Sequence, residues 1–134
     1  MRRLLIDTGP LVAIIDAGDA AHQRCLQFMT NERWRLVTTW PVVTEAMYLL
    51  GASLPAQSTL LAMVGSSTVE IADILDQVDR IASLMTKYQD VPMDFADASQ
   101  VAVAERESLD TIFTLDDDFR VYRLGGRRAF RVVP

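Results

Sequence analysis

Two groups of acidic residues lie close together in the last third of this sequence. Asp94 and Asp97 stand three residues apart, and Asp116, Asp117 and Asp118 form a second run. A helical run and a strand-like run separate the two groups, so an α/β fold can bring both to one edge of a sheet. Carboxylates repel one another and resist burial, so a cluster of them requires a compensating cation. We therefore predict a divalent metal with a chemical role.

Two further carboxylates fit the same site. Asp7 follows the apolar run of residues 4–6, where open α/β sheets bind ligands, although a helix cap beside Thr8 would also explain it. Glu45 is the only charged residue of an apolar helical run over residues 42–50. No cationic residue lies three or four positions from Glu45, so a buried carboxylate there would lack a local partner. Metal ligation is the favoured explanation.

The two acidic groups also have structural explanations. Asp94 and Asp97 have the spacing of a capping box at the start of a helix. Arg120, four residues after Asp116, is the one local cation that could neutralise a key acid. Both explanations stay open on the sequence alone.

The composition is that of an ordinary globular chain. Its 134 residues suffice for a buried core, half of them are hydrophobic, and the formal net charge is −5. No apolar run reaches the ~20 residues of a membrane span and no signal-peptide pattern is present, so we expect one domain over residues 1–134, in the cytoplasm and away from membranes. The single cysteine, Cys25, excludes an intrachain disulfide, and we expect it in the core.

The negative charge taken alone argues against binding a phosphate backbone. Several arginines nevertheless lie late in the chain: Arg120, Arg123, Arg127, Arg128 and Arg131.

The order of apolar runs and helical patterns indicates an α/β fold. We predict strands over residues 4–6, 35–39, 69–71, 109–114 and 129–133, and helices over residues 10–15, 19–30, 42–50, 54–64, 74–88 and 94–107. This alternation favours three layers, with helices on both faces of a mainly parallel sheet. In a right-handed doubly wound sheet, Asp7, Glu45, Asp97 and Asp116 can converge at the carboxyl edge. The helix over 42–50 is apolar nearly all round, so we expect it to be buried on most sides.

An oxygen-only ligand set indicates the metal and the chemistry. Four or five carboxylates without a cysteine or histidine ligand suit Mg²⁺ or Mn²⁺ and disfavour zinc. Such a metal, with open coordination positions, can activate water, bind a phosphodiester oxygen and stabilise the charge of an in-line displacement. Thr8 and Thr114 can add hydroxyl contacts to a metal-bound water or a phosphate, although both also suit turns.

Four segments together resemble the PIN-domain ribonucleases, in particular the toxins of VapBC-type toxin–antitoxin pairs. A first strand ends in Asp7, Glu45 lies in a helix after the second strand, and residues 92–98 and 114–119 follow in the expected order over nearly the whole chain. The resemblance implies a five-stranded sheet of order 3-2-1-4-5 between helices. It also implies a Mg²⁺- or Mn²⁺-dependent endoribonuclease that cleaves single-stranded or structured RNA, a homodimer, and a cognate antitoxin protein that covers the active site.

The same resemblance assigns roles to individual acids. Asp94 and Asp118 match acids present in many members of the family. We expect Asp118 to be a further metal ligand and Asp94 to have at most a supporting role, because helix capping suffices to explain Asp94. The family's acidic quartet is matched by Asp7, Glu45, Asp97 and Asp116.

Two other functions would keep the fold and its acids. A catalytically silent PIN-like scaffold would only bind a partner and would cleave no RNA with either metal. A phospho-acceptor receiver module needs a lysine after a late strand, whereas Lys87, the only lysine, lies in the predicted helix over residues 74–88. The presence of all four acids favours the nuclease.

Overall fold

A computed structural model describes residues 1–134. Its strands form one parallel sheet and one small hairpin. In chain order they are β1 (Arg2–Ile6), β2 (Trp34–Thr38), β3 (Val69–Ile71), β4 (Thr111–Phe113), β5 (Arg123–Leu124), β6 (Arg128–Ala129) and β7 (Arg131–Val133). The sheet has the order β3-β2-β1-β4-β7, and every neighbouring pair is parallel. Because β7 is the fifth strand of this sheet, the predicted order is confirmed.

Six α-helices cover the two faces of the sheet: α1 (Thr8–Ile15), α2 (His22–Asn31), α3 (Trp40–Leu49), α4 (Leu54–Gly65), α5 (Val78–Lys87) and α6 (Phe95–Glu107). Successive residues of a strand point to opposite faces. Leu5 and Ile112 therefore pack with α5 and α6, whereas Leu4 and Phe113 pack with the first four helices. This arrangement confirms the three predicted layers. None of the helices is both long and apolar enough to cross a lipid bilayer.

The register between β1 and β4 brings two site residues side by side. Ile6 pairs with Phe113, so the residues that follow them, Asp7 and Thr114, leave the sheet at the same edge. The backbone N–H of Asp7 still donates to the carbonyl of Phe113 at 2.9 Å, which extends the pairing by one residue. The carboxyl edge of the sheet therefore positions both side chains with little freedom.

Helix α3 is less enclosed than its sequence predicts. One face packs into the core, but Trp40, Tyr48 and Leu49 are 53%, 83% and 56% exposed. The prediction of burial on most sides is wrong because an apolar composition shows what a helix tolerates, whereas the number of neighbouring elements decides what is covered. Glu45 is consequently half-buried beside this exposed face.

Helices α5 and α2 each begin later than predicted, because Asp73 and Asp19 form turns. Each carboxylate accepts the backbone N–H two residues further on, at 2.9 Å and 2.8 Å respectively. Such a contact offers the backbone an alternative to the first helical turn. A short 3₁₀ helix, Leu75–Gln77, precedes α5. Cys25, on α2, is fully buried, as predicted.

The predicted last strand over residues 129–133 is divided into two short strands. β6 pairs with β5 in an antiparallel hairpin, and only β7 joins the sheet. Gly125 and Gly126, with φ values of 58° and 76°, form the turn of the hairpin in the backbone region that favours glycine. Strands of two residues are too short to show a periodic pattern, so the sequence did not reveal this hairpin.

Candidate active site

The side chains of Asp7, Asp97 and Asp116 converge at the carboxyl edge of the sheet. One carboxylate oxygen from each residue lies within 4.8 Å of the others. Asp7 follows β1, Asp97 lies in the first turn of α6, and Asp116 follows β4. No arginine or lysine nitrogen lies within 4.0 Å of these carboxylates, since every ion pair of the structure involves other acids. The structure therefore brings together three of the predicted residues without a cation from the protein.

Hydrogen bonds from three segments fix the end of β1 at Ile6 and Asp7. The hydroxyl of Thr114 donates to Oδ2 of Asp7 at 2.8 Å. One residue earlier, the carbonyl of Ile6 accepts from Oγ1 of Thr38 at 2.8 Å and from Nε2 of Gln100 at 2.7 Å. All of these groups are buried, so the bonds fix the end of β1 against β2 and α6.

Asp97 is held by a capping box and by a tyrosine. The carboxylate of Asp94 accepts the backbone N–H of Asp97 at 2.8 Å, and Oδ2 of Asp97 accepts that of Asp94 at 3.3 Å. The same Oδ2 accepts the hydroxyl of Tyr122 at 3.2 Å. The predicted capping box is thus confirmed. The capping box does not exclude Asp97 from the acid cluster, because Asp97 takes part in both.

Asp116 is fixed by backbone contacts on either side of it. Its backbone N–H donates to Oγ1 of Thr114 at 3.0 Å, and its Oδ1 accepts the backbone N–H of Asp118 at 2.9 Å. The carboxylate of Asp118 is not one of the three that converge. Arg120 pairs with exposed Asp117 at 3.5 Å, so the open suggestion that Arg120 neutralises Asp116 is not supported.

Glu45 and Asp94 lie with the three converging acids around a cavity of about 280 Å³, which we call the acid cavity. Burial raises the pKa of Glu45, the charges of Asp94 and Asp116 add to this rise, and the nearby Thr8 hydroxyl opposes it. That hydroxyl is buried, yet it makes no hydrogen bond of standard geometry. Asp118 does not line the acid cavity, whose acidic and hydroxyl residues are Asp7, Thr8, Glu45, Asp94, Asp97 and Asp116.

The acid cavity holds negative charge that the protein compensates poorly. Burial raises the pKa of Asp7 to about 6, against the opposing hydrogen bond from Thr114. Burial also raises the pKa of Asp97 to about 8, with the charges of Asp94 and Asp7 adding to the effect. A hard divalent cation with oxygen ligands would offset this repulsion, and the Thr8 hydroxyl beside Glu45 adds another oxygen of the same kind. The residues present therefore fit Mg²⁺ or Mn²⁺.

Sequence reasoning missed two residues that support the cluster. Gln100 is fully buried and reaches the carbonyl of Ile6. Gln100 is a long polar side chain among the small apolar residues of α6, and this contrast could have indicated a buried hydrogen-bonding role. Tyr122 gave no such signal, because nothing in its neighbourhood indicates that it faces Asp97.

Lys87 lies away from the acid cavity. It is the last residue of α5, and its Nζ lies 5.3 Å from the centre of the Tyr88 ring. It does not line the acid cavity. This placement disfavours the receiver alternative, which requires a lysine next to the acids.

Comparisons with known proteins show the family and the fold of this chain. The family model of the PIN domain matches residues 4–124. The chain is 31% identical over 135 residues to Ribonuclease VapC26 of Mycobacterium tuberculosis, an alignment that spans 98% of this chain and all of the relative. Its fold matches the crystal structure of M. tuberculosis VapC20, described as a Sarcin-Ricin loop cleaving toxin, with a TM-score of 0.80, 21% identity and coverage of 88% of this chain and 93% of that one. It also matches a chain of a toxin-antitoxin complex from Klebsiella pneumoniae, with a TM-score of 0.70, 21% identity and coverage of 98% and 96%. The chain belongs to the PIN-domain family.

Proposed function

We propose that this protein is a divalent-metal-dependent endoribonuclease that hydrolyses phosphodiester bonds in RNA. The observation that carries the proposal is the convergence of Asp7, Asp97 and Asp116 within 4.8 Å without a protein cation. The full-length similarity to a protein named as a ribonuclease supports the reaction. Mg²⁺ or Mn²⁺ is the proposed cofactor because all the candidate ligand atoms are oxygens.

The residues of the acid cavity divide into ligands and supports. Asp7, Asp97 and Asp116 would hold the metal, and Glu45 would complete the set from α3. When bound, the metal would supply Lewis-acid activation of water and of a phosphate oxygen. We assign supporting roles to Asp118, whose backbone N–H holds Asp116, and to the capping residue Asp94. Thr114 orients Asp7 by hydrogen bonding, and the Thr8 hydroxyl, beside Glu45 in the acid cavity, is placed to contact a water or phosphate oxygen.

We propose Arg24 and Arg120 as phosphate contacts on the Asp116 side of the acid cavity. Both line a small cavity of about 60 Å³ together with Thr114 and Asp116. Both side chains are exposed, and the partner of Arg120 is a single exposed aspartate, so this pair is weak and exchangeable. A local cationic edge of this kind would allow a chain of net charge −5 to bind a polyanion.

We further propose that this nuclease is a toxin whose activity is inhibited by a partner protein. This role is supported by the similarity to VapC26 and by the fold shared with a chain of a toxin-antitoxin complex. We propose that a cognate antitoxin binds beside the acid cavity, and that the protein forms a homodimer. Inhibition of RNA cleavage by the product of an adjacent small reading frame, and a dimer mass in sedimentation equilibrium, would support the two parts separately.

The nuclease proposal is tested with purified protein and a labelled single-stranded RNA. Cleavage is expected with Mg²⁺ or Mn²⁺ and not with EDTA. Asp97→Asn should abolish cleavage while the protein remains folded by circular dichroism. Asp79→Asn, which alters an exposed acid on α5 outside the acid cavity, is the matched control and should cleave normally. A wild-type protein that cleaves no single-stranded or structured RNA with either metal would contradict the proposal and favour the silent scaffold.

A further inference from the structure

The three exposed aromatic side chains of this protein all line one groove beside the acid cavity. Trp40, Tyr48 and Phe95 are 53%, 83% and 50% exposed, whereas the other aromatic residues are buried or half-buried. Helix α3 supplies Trp40 and Tyr48, and the start of α6 supplies Phe95. The groove has a volume of about 580 Å³, and we call it the aromatic groove. Exposed aromatic surface is costly in water, so its collection in one place points to a ligand.

The aromatic groove is continuous with the acid cavity. Glu45 and Asp94 line both of them. Glu45 lies on α3 between Trp40 and Tyr48, so an extended molecule bound at the acid cluster would pass Glu45 and meet these rings directly. The groove is therefore placed to contact the part of a substrate that adjoins the reacting bond.

We propose that the aromatic groove stacks the bases of the RNA strand next to the scissile phosphate. This inference rests on the proposed nuclease function and adds a base-binding subsite to it. Unpaired RNA bases stack readily on aromatic side chains, and such stacking tolerates any base because every base has a flat π-face. Trp40 and Tyr48 are eight residues apart on one helix, or about 12 Å along its axis, which would separate two splayed bases.

The charges around the groove favour bases over phosphates. The residues that line it include no arginine or lysine, and its two charged members are the carboxylates Glu45 and Asp94. These carboxylates repel a phosphate but can accept hydrogen bonds from the amino groups of bases. The strand would then turn its bases toward the groove, while its phosphates follow the metal and the arginine edge at Arg24 and Arg120.

The test compares two strands of equal length and phosphate count, a single-stranded RNA and its abasic counterpart. Binding is measured with Mg²⁺ by fluorescence anisotropy, with Asp97→Asn in every protein so that no cleavage occurs. The double change Trp40→Ala and Tyr48→Ala should weaken RNA binding by about tenfold per ring and leave the abasic strand unaffected. The pair Trp40→Phe and Tyr48→Phe should retain base-dependent binding. Leu54→Ala, a side chain on α4 that is 72% exposed and lies outside the groove, is the control.

The outcomes separate this inference from the nuclease proposal. Base-dependent binding that the alanine pair removes would support the aromatic groove even if the active protein cleaved no RNA. Equal weakening of both strands, no change for either strand, or no binding of RNA by any protein would overturn the inference. Unchanged cleavage by the double alanine variant, with Asp97 restored, would overturn it and leave the nuclease proposal standing. If the double alanine variant bound RNA as before but had a lower mass than wild type in sedimentation, the groove would be assigned to a protein contact instead.

Discussion

Tyr122 donates a hydrogen bond of 3.2 Å to the carboxylate of Asp97, the acid whose pKa burial raises to about 8. The phenol ring is fully buried, and its centre lies 5.1 Å from those of Tyr88 and Phe119 in edge-to-face contacts. Burial, followed by the charge of Asp97, raises the pKa of Tyr122, so the hydroxyl remains a donor. The ring packing therefore fixes the direction in which Asp97 presents its other oxygen.

Tyr122→Phe should weaken divalent metal binding by about 10- to 100-fold, the usual effect of removing a group that orients a metal ligand. The phenyl ring would keep its packing, so the change should leave the fold intact. Isothermal titration with Mn²⁺ measures the affinity directly. Tyr88→Phe is the control, because it removes a hydroxyl from the same aromatic cluster that accepts only the backbone N–H of Arg123. Equal metal affinity in wild type and Tyr122→Phe would show that the bond has no positioning role.

Glu45 and Asp94 should respond differently to removal of their charge. Asp94→Asn retains a side-chain oxygen that can cap α6, so stability should be nearly unchanged, whereas Asp94→Ala should cost about 1 kcal/mol. Glu45 caps no helix, and Glu45→Gln should lower kcat by about 100-fold, a loss typical of a weakened metal site, without loss of stability. Denaturant unfolding and single-turnover cleavage measure the two quantities. A larger loss of kcat in Asp94→Asn than in Glu45→Gln would reverse the proposed assignment of ligand and cap.

Arg24→Ala should weaken RNA binding and lower its salt dependence. Removing one phosphate contact to a single strand should reduce the slope of log K against log salt by about 0.7. The slope is obtained from anisotropy titrations at several salt concentrations. Arg127→Ala, at an exposed position in the turn between β5 and β6, should leave the slope unchanged. Equal slopes in Arg24→Ala and wild type would remove Arg24 from the proposed path of the strand.

The metal-free protein should lose stability as the pH rises from about 4 to about 8. Asp7 and Asp97 have pKa values of about 6 and about 8 in the fold, above the 3.8 of an unperturbed aspartate, so the folded state binds more protons in this range. This stabilisation is present below pH 4 and is lost as the pH rises through the two folded values. A hydrogen bond from Arg80 lowers the pKa of Glu105, and one from Arg3 lowers that of Glu107. The stability that these two glutamates contribute is lost only at more acidic pH.

Thermal unfolding in EDTA at pH 5, 6.5 and 8 checks this direction. Mg²⁺ or Mn²⁺ should raise the midpoint most at pH 8, where the acid cavity carries most negative charge and binds a cation best. Asp97→Asn should raise the midpoint of the metal-free protein at pH 8, because it removes a buried charge. A metal-free midpoint that climbs between pH 5 and pH 8 would contradict the prediction.

Much of the fold follows from patterns that span only a few residues. The apolar runs that end in Asp7 and Thr114 indicate two strands, and the spacing of Asp94 and Asp97 indicates a capping box, because backbone hydrogen bonds at a helix start involve neighbours three positions apart. The three layers and the strand order expected from these patterns and from the family resemblance are present in the structure. Patterns of this length could not show the hairpin of β5 and β6, nor the turns at Asp19 and Asp73.

By itself, the sequence determined which residues are acidic and that they follow strands or begin helices, since those properties depend on residue type and local spacing. Only the tertiary structure decided that Tyr122 meets Asp97, that Arg120 pairs with Asp117 and not with Asp116, and that one face of α3 stays exposed. These outcomes depend on contacts between segments far apart along the chain. Which side chains meet across such distances depends on how whole elements pack, and no short stretch of sequence contains that information.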